Sequence, residues 1–120
     1  MTHEEICTYE VCKLAREKGF NEKCYHYYQK GVLESDECFN RYNKGVDKIC
    51  SAPTQSLLQR WLREKKKIDI AIVPVYDGGY SYIVYNIHCR DNRVVNTNAG
   101  YATYELTLED ALKYALENLV

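Results

Sequence analysis

The sequence predicts an α+β protein in which three helices pack on an antiparallel sheet formed by two hairpins. Two kinds of pattern lead to this class. Apolar residues recur at helical spacing in three segments, and strand-forming residues flank glycine-containing turns in two others. A chain of 120 residues is the usual size of one domain, so we expect residues 1 to 120 to share a single core.

The first helix is predicted from its end signals. Thr8 is the expected N-cap, Glu10 lies in the first turn, and Gly19 follows two basic residues as the expected C′ stop. Phe20 is then expected to pack back on the last turn, as the residue after such a stop often does.

The first hairpin is predicted between residues 24 and 33, with Lys30-Gly31 as its turn. Residues 34 to 50 show no period, and we expect an irregular connection there. Its apolar residues, expected to reach the core, are Phe39, Tyr42, Val46 and Ile49.

The second helix has the strongest pattern in the middle of the chain. Pro53 stands near its start, Thr54 is the expected N-cap, and the helix should run to about Lys66. One stripe of this helix is apolar and is expected to enter the core: Leu57, Leu58, Trp61 and Leu62.

The second hairpin is predicted over residues 68 to 88, with a two-residue turn at Asp77-Gly78 or Gly78-Gly79. Either turn places the same residues on each face of the hairpin, because the two registers differ by two residues, and both faces are then apolar. The face expected to meet the helices carries Ile68, Ile70, Ile72, Ile83, Tyr85 and Ile87.

The opposite face of this hairpin is our candidate protein interface. Its residues are Val73, Val75, Tyr80, Tyr82 and Val84, together with Ala71. A solvated sheet face should be polar, so something is expected to cover this one. The cover is either the first helix or the stretch after Leu33, or a second protein molecule.

The last third of the chain is predicted to hold edge strands and a third helix. Turn-like residues 90 to 93 and 96 to 100 bracket a short strand at Val94-Val95, and residues 101 to 106 are a further strand candidate. The helix is expected to begin at Thr107 as N-cap with Asp110 at N3. Its core stripe is Leu108, Ala111, Leu112, Ala115, Leu116 and Leu119.

Composition limits the possible functions. The net charge of −1 gives no overall attraction to nucleic acid or anionic lipid, and neither a signal peptide nor a membrane-spanning run is visible, so we expect a cytoplasmic protein without a membrane partner. The six cysteines are then expected to be reduced thiols that pack as small hydrophobes. The 12 tyrosines favour strands and a recognition surface.

No residue pattern indicates catalysis or a cofactor. Cys24, His26, His88 and Cys89 are the right types for zinc, but His88 and Cys89 are adjacent in a strand and point to opposite faces. The cysteines and histidines match no local signature of a nucleophilic site, and Asp77-Gly78-Gly79 lacks the rest of a phosphate-binding loop. We therefore predict no catalytic residue, no metal and no cofactor.

A basic segment at the end of the second helix is the candidate nucleic-acid contact. It contains Arg60, Arg63, Lys65, Lys66 and Lys67. These side chains suit a phosphate backbone, and Trp61 between them suits a base. The alternative is that Trp61 belongs to the core and the cations complement the helix C-terminus.

Residues 51 to 64 (SAPTQSLLQRWLRE), Lys18-Gly19-Phe20 and residues 107 to 119 resemble small uncharacterised proteins of bacterial phages and prophages. The resemblance implies a bacterial or phage cytoplasmic setting and no catalytic residues. We expect a small noncatalytic binding or accessory protein, acting through contacts with a protein partner or with itself. A nucleic-acid-binding module is the second hypothesis.

Overall fold

The computed structural model describes residues 5–22, 24, 26–35, 49–76, 78–86 and 94–120. In chain order the elements are α1 (Tyr9–Glu17), β1 (His26–Gln29), β2 (Val32–Ser35), β3 (Ile49–Ser51), α2 (Gln55–Lys65), β4 (Ile68–Pro74), β5 (Tyr80–Asn86), β6 (Val94–Tyr101) and α3 (Tyr104–Asn118). The predicted α+β class is confirmed.

The two hairpins lie in two separate antiparallel sheets, each completed by a third strand. The first sheet has the order β2-β1-β3, and the second has the order β4-β5-β6. Helix α3 contacts α1, α2 and all three strands of the second sheet, whereas the first sheet packs against α1 through β3 and through Tyr28 of β1. The helices therefore occupy the space next to one face of β4-β5-β6.

Both ends of α1 are as predicted. The Thr8 side chain accepts a hydrogen bond from the Val11 N–H at 3.4 Å, which caps the N-terminus. At the other end Gly19 has φ of +101°, and the Gly19 and Phe20 N–H groups donate to the carbonyls of Arg16 and Ala15. This is the Schellman pattern, and it directs Phe20 into the core.

Helix α2 also begins as predicted, with the Thr54 side chain accepting from the Leu57 N–H at 3.1 Å. Trp61 is buried and meets Phe20 edge to face, with 5.4 Å between ring centroids. The prediction that Trp61 belongs to the core is therefore confirmed.

Helix α3 starts one turn earlier than predicted. Thr103, with extended backbone, is the N-cap, and its side chain accepts from the Leu106 N–H at 3.1 Å. Thr107 lies inside the helix, fully buried, and its hydroxyl donates to the Thr103 carbonyl at 2.6 Å. Because that internal bond satisfies the hydroxyl, the second threonine is accommodated without ending the helix, and the strand expected over residues 101 to 106 stops at Tyr101.

Strand β6 runs through the residues predicted to form a turn. Asn96, Thr97 and Asn98 pair with β5, so tertiary pairing overrides the local preference of these residues for turns. Gly100 is an extra residue between two consecutive pairs and has φ of +97°, which places a bulge near the end of the strand.

The first hairpin has the predicted Lys30-Gly31 turn. Both residues have positive φ, as a type I′ turn requires. Part of the predicted irregular connection is a strand, because Ile49–Ser51 pairs with β1. The expected core residues Phe39, Tyr42 and Val46 lie outside the described residues.

Candidate functional site

The β4–β5 loop is one residue longer than predicted, and this decides which side chains share a face. Val75 and Gly79 are the last pair, with the Val75 N–H donating to the Gly79 carbonyl, and the Gly78 N–H donates to the Val75 carbonyl. Gly78 has φ of +83°, as the third position of a three-residue hairpin loop requires.

The longer loop reverses the predicted faces of β5. Ile70 pairs with Val84 and Ile72 with Tyr82, so the even-numbered residues of both strands share a face. The prediction that Ile83 and Tyr85 meet the helices is wrong, and Ile87 lies outside the described residues. A shift of one residue moves every side chain of a strand to the other side.

The predicted interface residues consequently do not form one surface. Tyr82 is 2% exposed and Val84 0%, both within the core beside α3, so they are unavailable to a partner. Tyr80 is on the same side, half-buried, with its ring 6.0 Å from that of Tyr104. Val73 is 37% exposed and Val75 is half-buried, and these two remain on the outward side.

The outward side of β4-β5-β6 is apolar over most of its area. We call it the open sheet face. Within the three strands none of its residues is buried, and six of the nine are apolar: Ala71, Val73, Ile83, Tyr85, Val94 and Ala99, with Asp69, Ser81 and Thr97 as the polar members. Helices α2 and α3 pack on the opposite side, against Ile68, Ile70, Tyr82 and Val84.

Sequence reasoning missed Ile83 and Tyr85 as surface residues because it assumed a two-residue turn. The polar residues do not decide between the two loops. The observed three-residue loop puts Asp69 on the same face as Ser81, whereas a two-residue turn would put Asp69 on the same face as Asn86.

Four cysteines lie buried and unpaired by disulfides near the start of α1: Cys7, Cys12, Cys24 and Cys50. A hydrogen bond with the Cys12 thiol, together with burial, raises the pKa of Cys7 well above its usual value. Burial raises the pKa of Cys24 to about 12 and that of Cys50 to about 11. A thiol that stays protonated is a poor nucleophile and a poor metal ligand.

Strand β1 contributes Tyr28 to the region around these four cysteines. The Tyr28 hydroxyl donates to the Cys7 carbonyl at 2.9 Å, and burial raises the pKa of Tyr28 to about 12. The Cys12 thiol donates to the same carbonyl at 3.5 Å. These two hydrogen bonds join β1 to the residues at the start of α1.

Only two of the four zinc ligands considered in the sequence lie within the described residues. Cys24 is buried and His26 is half-buried, whereas His88, Cys89 and the sixth cysteine, Cys38, lie outside the described residues. Among the described residues, no group of three or more His, Cys, Asp or Glu side chains is placed to hold a metal ion.

The basic end of α2 is on the surface. Arg60, Arg63, Lys65 and Lys67 are exposed, and the Lys66 ammonium lies 5.4 Å from the centre of the Trp61 ring. Trp61 itself is only 6% exposed. The segment can therefore offer cations to a polyanion, but its tryptophan is not available to stack on a base.

No helix in the described part of the chain has the length and apolar character needed to cross a membrane. The chain matches no family model, and neither a curated protein nor a solved structure proved significantly similar to it.

Proposed function

We propose that this chain is a small noncatalytic binding protein that acts through protein contacts made by the open sheet face. The observation that carries the proposal is the composition of that face. Ile83 and Tyr85 occupy the central strand, with Val73 and Val94 on the flanking strands, at positions where a solvated antiparallel sheet carries polar side chains.

The chemistry of the face fits a protein partner better than a small molecule. The side chains of this face stand on the outer side of a sheet, whereas a small ligand is usually enclosed in a concave site. Apolar and aromatic side chains with a polar margin are what the centre of a protein interface contains. Asp69, Ser81 and Thr97 supply such polar groups beside the apolar residues.

The buried thiols support a noncatalytic role. A nucleophilic cysteine needs a lowered pKa and access to solvent, and Cys7, Cys24 and Cys50 depart from the usual value in the other direction. The resemblance to phage and prophage proteins adds a bacterial cytoplasmic setting and an accessory role to the proposal.

Site-specific photocross-linking tests the proposed face. Tyr85 is replaced by p-benzoylphenylalanine, which differs little from tyrosine in shape, and the chain is irradiated in bacterial cells. The matched control carries the same group at Tyr9, which is 44% exposed on α1. We expect a discrete protein adduct from position 85, none from position 9, and loss of the adduct when Val73→Lys is added.

Adducts of equal yield from both positions, or an adduct at position 85 that Val73→Lys does not reduce, would contradict the proposal. Val32→Lys is the control for the added charge, because Val32 is 56% exposed on β2 in the other sheet. This variant should leave the adduct unchanged.

A second candidate function is polyanion binding by the basic end of α2, favoured by the exposure of Arg60, Arg63, Lys65 and Lys67. If these four side chains contact phosphates of single-stranded DNA, the logarithm of the binding constant should fall with the logarithm of salt concentration with a slope of about −3. Retention on a DNA column that Arg60→Glu with Arg63→Glu does not weaken would exclude it.

A further inference from the structure

Three tyrosines lie at the end of the second sheet where the β4–β5 loop meets the start of α3. Tyr80 begins β5 after this loop, and its ring lies 6.0 Å from the ring of Tyr104 at an angle of 83°. Tyr104 is the first residue of α3 and is 44% exposed, and Tyr76, in the loop itself, is fully exposed. We call these tyrosines, together with the exposed Glu105 beside Tyr104, the tip surface.

The fold uses little of what these side chains offer. Tyr80 and Tyr104 pack edge to face, but Tyr104 remains exposed despite this contact. Within the described residues, Tyr76 makes neither a hydrogen bond nor a ring contact, and the Glu105 carboxylate neither accepts a hydrogen bond nor forms an ion pair. Exposed aromatic rings contribute little to the stability of a single chain, whereas they are common at the centre of protein interfaces. The tip surface therefore has groups suited to recognition that the fold does not require.

The charges around the tip surface have one sign. None of the 16 basic residues of the chain lies in residues 68–86 or 94–112, which form the second sheet and the first nine residues of α3. Arg90 and Arg93, between β5 and β6, lie outside the described residues. An uneven distribution of this kind attracts cations and repels phosphate groups. The charged side chains described in these two segments are all acidic: Asp69, Glu105, Glu109 and Asp110.

We infer that the tip surface binds arginine side chains of a protein partner. A guanidinium group within about 6 Å of a tyrosine ring centre is attracted by the electron-rich face of the ring, and its planar shape stacks on that face. The same group forms paired hydrogen bonds with a carboxylate, and Glu105 follows Tyr104 directly in the chain. The chain itself contains a contact of the same kind, because the Lys66 ammonium lies 5.4 Å from the centre of the Trp61 ring.

Two other kinds of ligand fit the tip surface less well. Nucleobases also stack on tyrosine, but a nucleic acid brings phosphates, which need cations that the described part of the second sheet lacks. A purely apolar segment of a partner would cover Tyr104, but it would leave the Glu105 carboxylate beside it without a bonding partner. A segment that contains arginine uses both the rings and the charge.

The inference does not rest on the open sheet face. Tyr80 is an even-numbered residue of β5 and lies on the side of the sheet that meets the helices, whereas the open sheet face is on the opposite side. A partner can therefore contact the tip surface whether or not the open sheet face is used.

Nuclear magnetic resonance titration of the isotope-labelled full chain tests the inference. The probe is a short peptide of alternating glycine and arginine with blocked ends. The matched peptide carries citrulline, which has the shape of arginine without its charge, at each arginine position. We expect the arginine peptide to shift the amide signals of Tyr76, Tyr104 and Glu105, with an affinity that falls as the salt concentration rises. The citrulline peptide should bind at least about 10-fold more weakly.

Two variants and one control identify the contact. Tyr104→Leu keeps an apolar side chain against Tyr80 but removes the aromatic face, so it should weaken binding of the arginine peptide about 2- to 5-fold. Glu105→Gln keeps the shape of the side chain without its charge and should weaken binding by a similar factor. Tyr9→Leu is the control, because Tyr9 is also 44% exposed but lies on α1, and it should leave the affinity unchanged.

Absence of shifts at the tip surface, or equal binding of the arginine and citrulline peptides, would overturn the inference. So would an affinity that neither Tyr104→Leu nor Glu105→Gln reduces, or one that Tyr9→Leu reduces equally, because binding would then not depend on the tip surface. Single-stranded DNA that shifts the same signals more strongly than the arginine peptide would assign the surface to nucleic acid instead. None of these outcomes changes the cross-linking expected from Tyr85, so the proposed function is tested separately.

Discussion

Neighbouring residues of β5 give a direct test of the hairpin register. Tyr82 and Ile83 are adjacent, yet the three-residue loop places Tyr82 in the core and Ile83 on the open sheet face. We therefore compare Tyr82→Lys with Ile83→Lys. With the two-residue turn predicted from the sequence, Ile83 would lie in the core and Tyr82 on the surface, so Ile83→Lys would be the more destabilising substitution.

The magnitude follows from what each side chain contacts. Tyr82 is 2% exposed and its ring lies 6.0 Å from that of Tyr101. Loss of a buried aromatic side chain reduces the free energy of unfolding by about 3–5 kcal/mol, and an ammonium group placed there must also lose its hydration. A domain of this size has only about 5–15 kcal/mol in total, so Tyr82→Lys should be largely unfolded.

Ile83→Lys removes fewer contacts and should therefore reduce the free energy of unfolding by less. Ile83 is half-buried and faces Ala71 and Thr97 across the ladders, so it loses cross-strand contacts of about 0.2–1 kcal/mol each and up to about 1 kcal/mol of strand preference. We expect a folded variant that is about 1–2 kcal/mol less stable than the wild type.

Urea unfolding followed by the fluorescence of Trp61 measures both variants. Trp61 is the single tryptophan of the chain and is buried, so its emission reports the intact core. Equal losses of unfolding free energy in the two variants, or a larger loss for Ile83→Lys, would refute the register and with it the open sheet face.

Three further predictions concern stability. Trp61→Ala should lower the free energy of unfolding by about 3–5 kcal/mol, measured by circular dichroism in urea, and a smaller loss with impaired DNA binding would show a surface role. Gly79→Ala should cost about 1–3 kcal/mol more than Gly78→Ala, because both glycines have positive φ but only at Gly79 would a Cβ lie 2.6 Å from the Tyr101 carbonyl oxygen. Burial holds the pKa of Cys24 in the folded state at about 12 against 9.0 for an ordinary thiol, so the contribution of Cys24 to stability should be full below pH 9 and fall above it by up to about 1.4 kcal/mol per pH unit, in addition to contributions of the same sign from Cys7 and Cys50. A slope that Cys24→Ala does not reduce would contradict this assignment.

Local signals in the sequence were sufficient to predict where α1 begins and ends and where α2 begins. A threonine cap, a glycine stop and the residue after it each act within a few positions, so Thr8, Gly19 and Thr54 have the roles that their neighbours indicate. The same local reasoning placed the start of α3 at Thr107, because two threonines four residues apart both carry capping chemistry. The choice of Thr103 depends on burial of Thr107 against the core, which the sequence alone does not reveal.

The faces and the extent of the strands depend on contacts between residues that are far apart in the chain. The residues Asp77-Gly78-Gly79 are compatible with loops of two or three residues, and this single difference reverses the faces of β5. Strand β6 contains asparagine, threonine and glycine, which prefer turns, and it forms because β5 presents a pairing edge. The apolar character of both hairpin faces was visible in the sequence, whereas the choice of the outward face was not.

The carboxylate of Glu109 joins three segments that are far apart in the chain, and its removal is the last prediction. Its two oxygens accept hydrogen bonds from the Thr8 N–H at 2.9 Å, the Thr8 hydroxyl at 2.7 Å and the Gln55 side-chain amide at 2.9 Å. The negative charge also lies at the N-terminus of α1, where the helix dipole favours it. No sequence spacing indicates this contact, because it depends on how α3 packs against α1 and α2.

Glu109→Gln keeps the shape of the side chain but removes the charge and turns one acceptor into a donor facing other donors. Hydrogen bonds to a charged group contribute about 1.5–3 kcal/mol each at most, and partial exposure lowers this, so we expect a loss of about 1–2 kcal/mol in unfolding free energy. Glu105→Gln is the matched control, because only the backbone carbonyl of Glu105 accepts from Gln55, at 2.9 Å, and its side chain is exposed. Equal stability of the two variants in urea would mean that Glu109 does not hold α1 against α3, and that apolar packing alone fixes the position of α1.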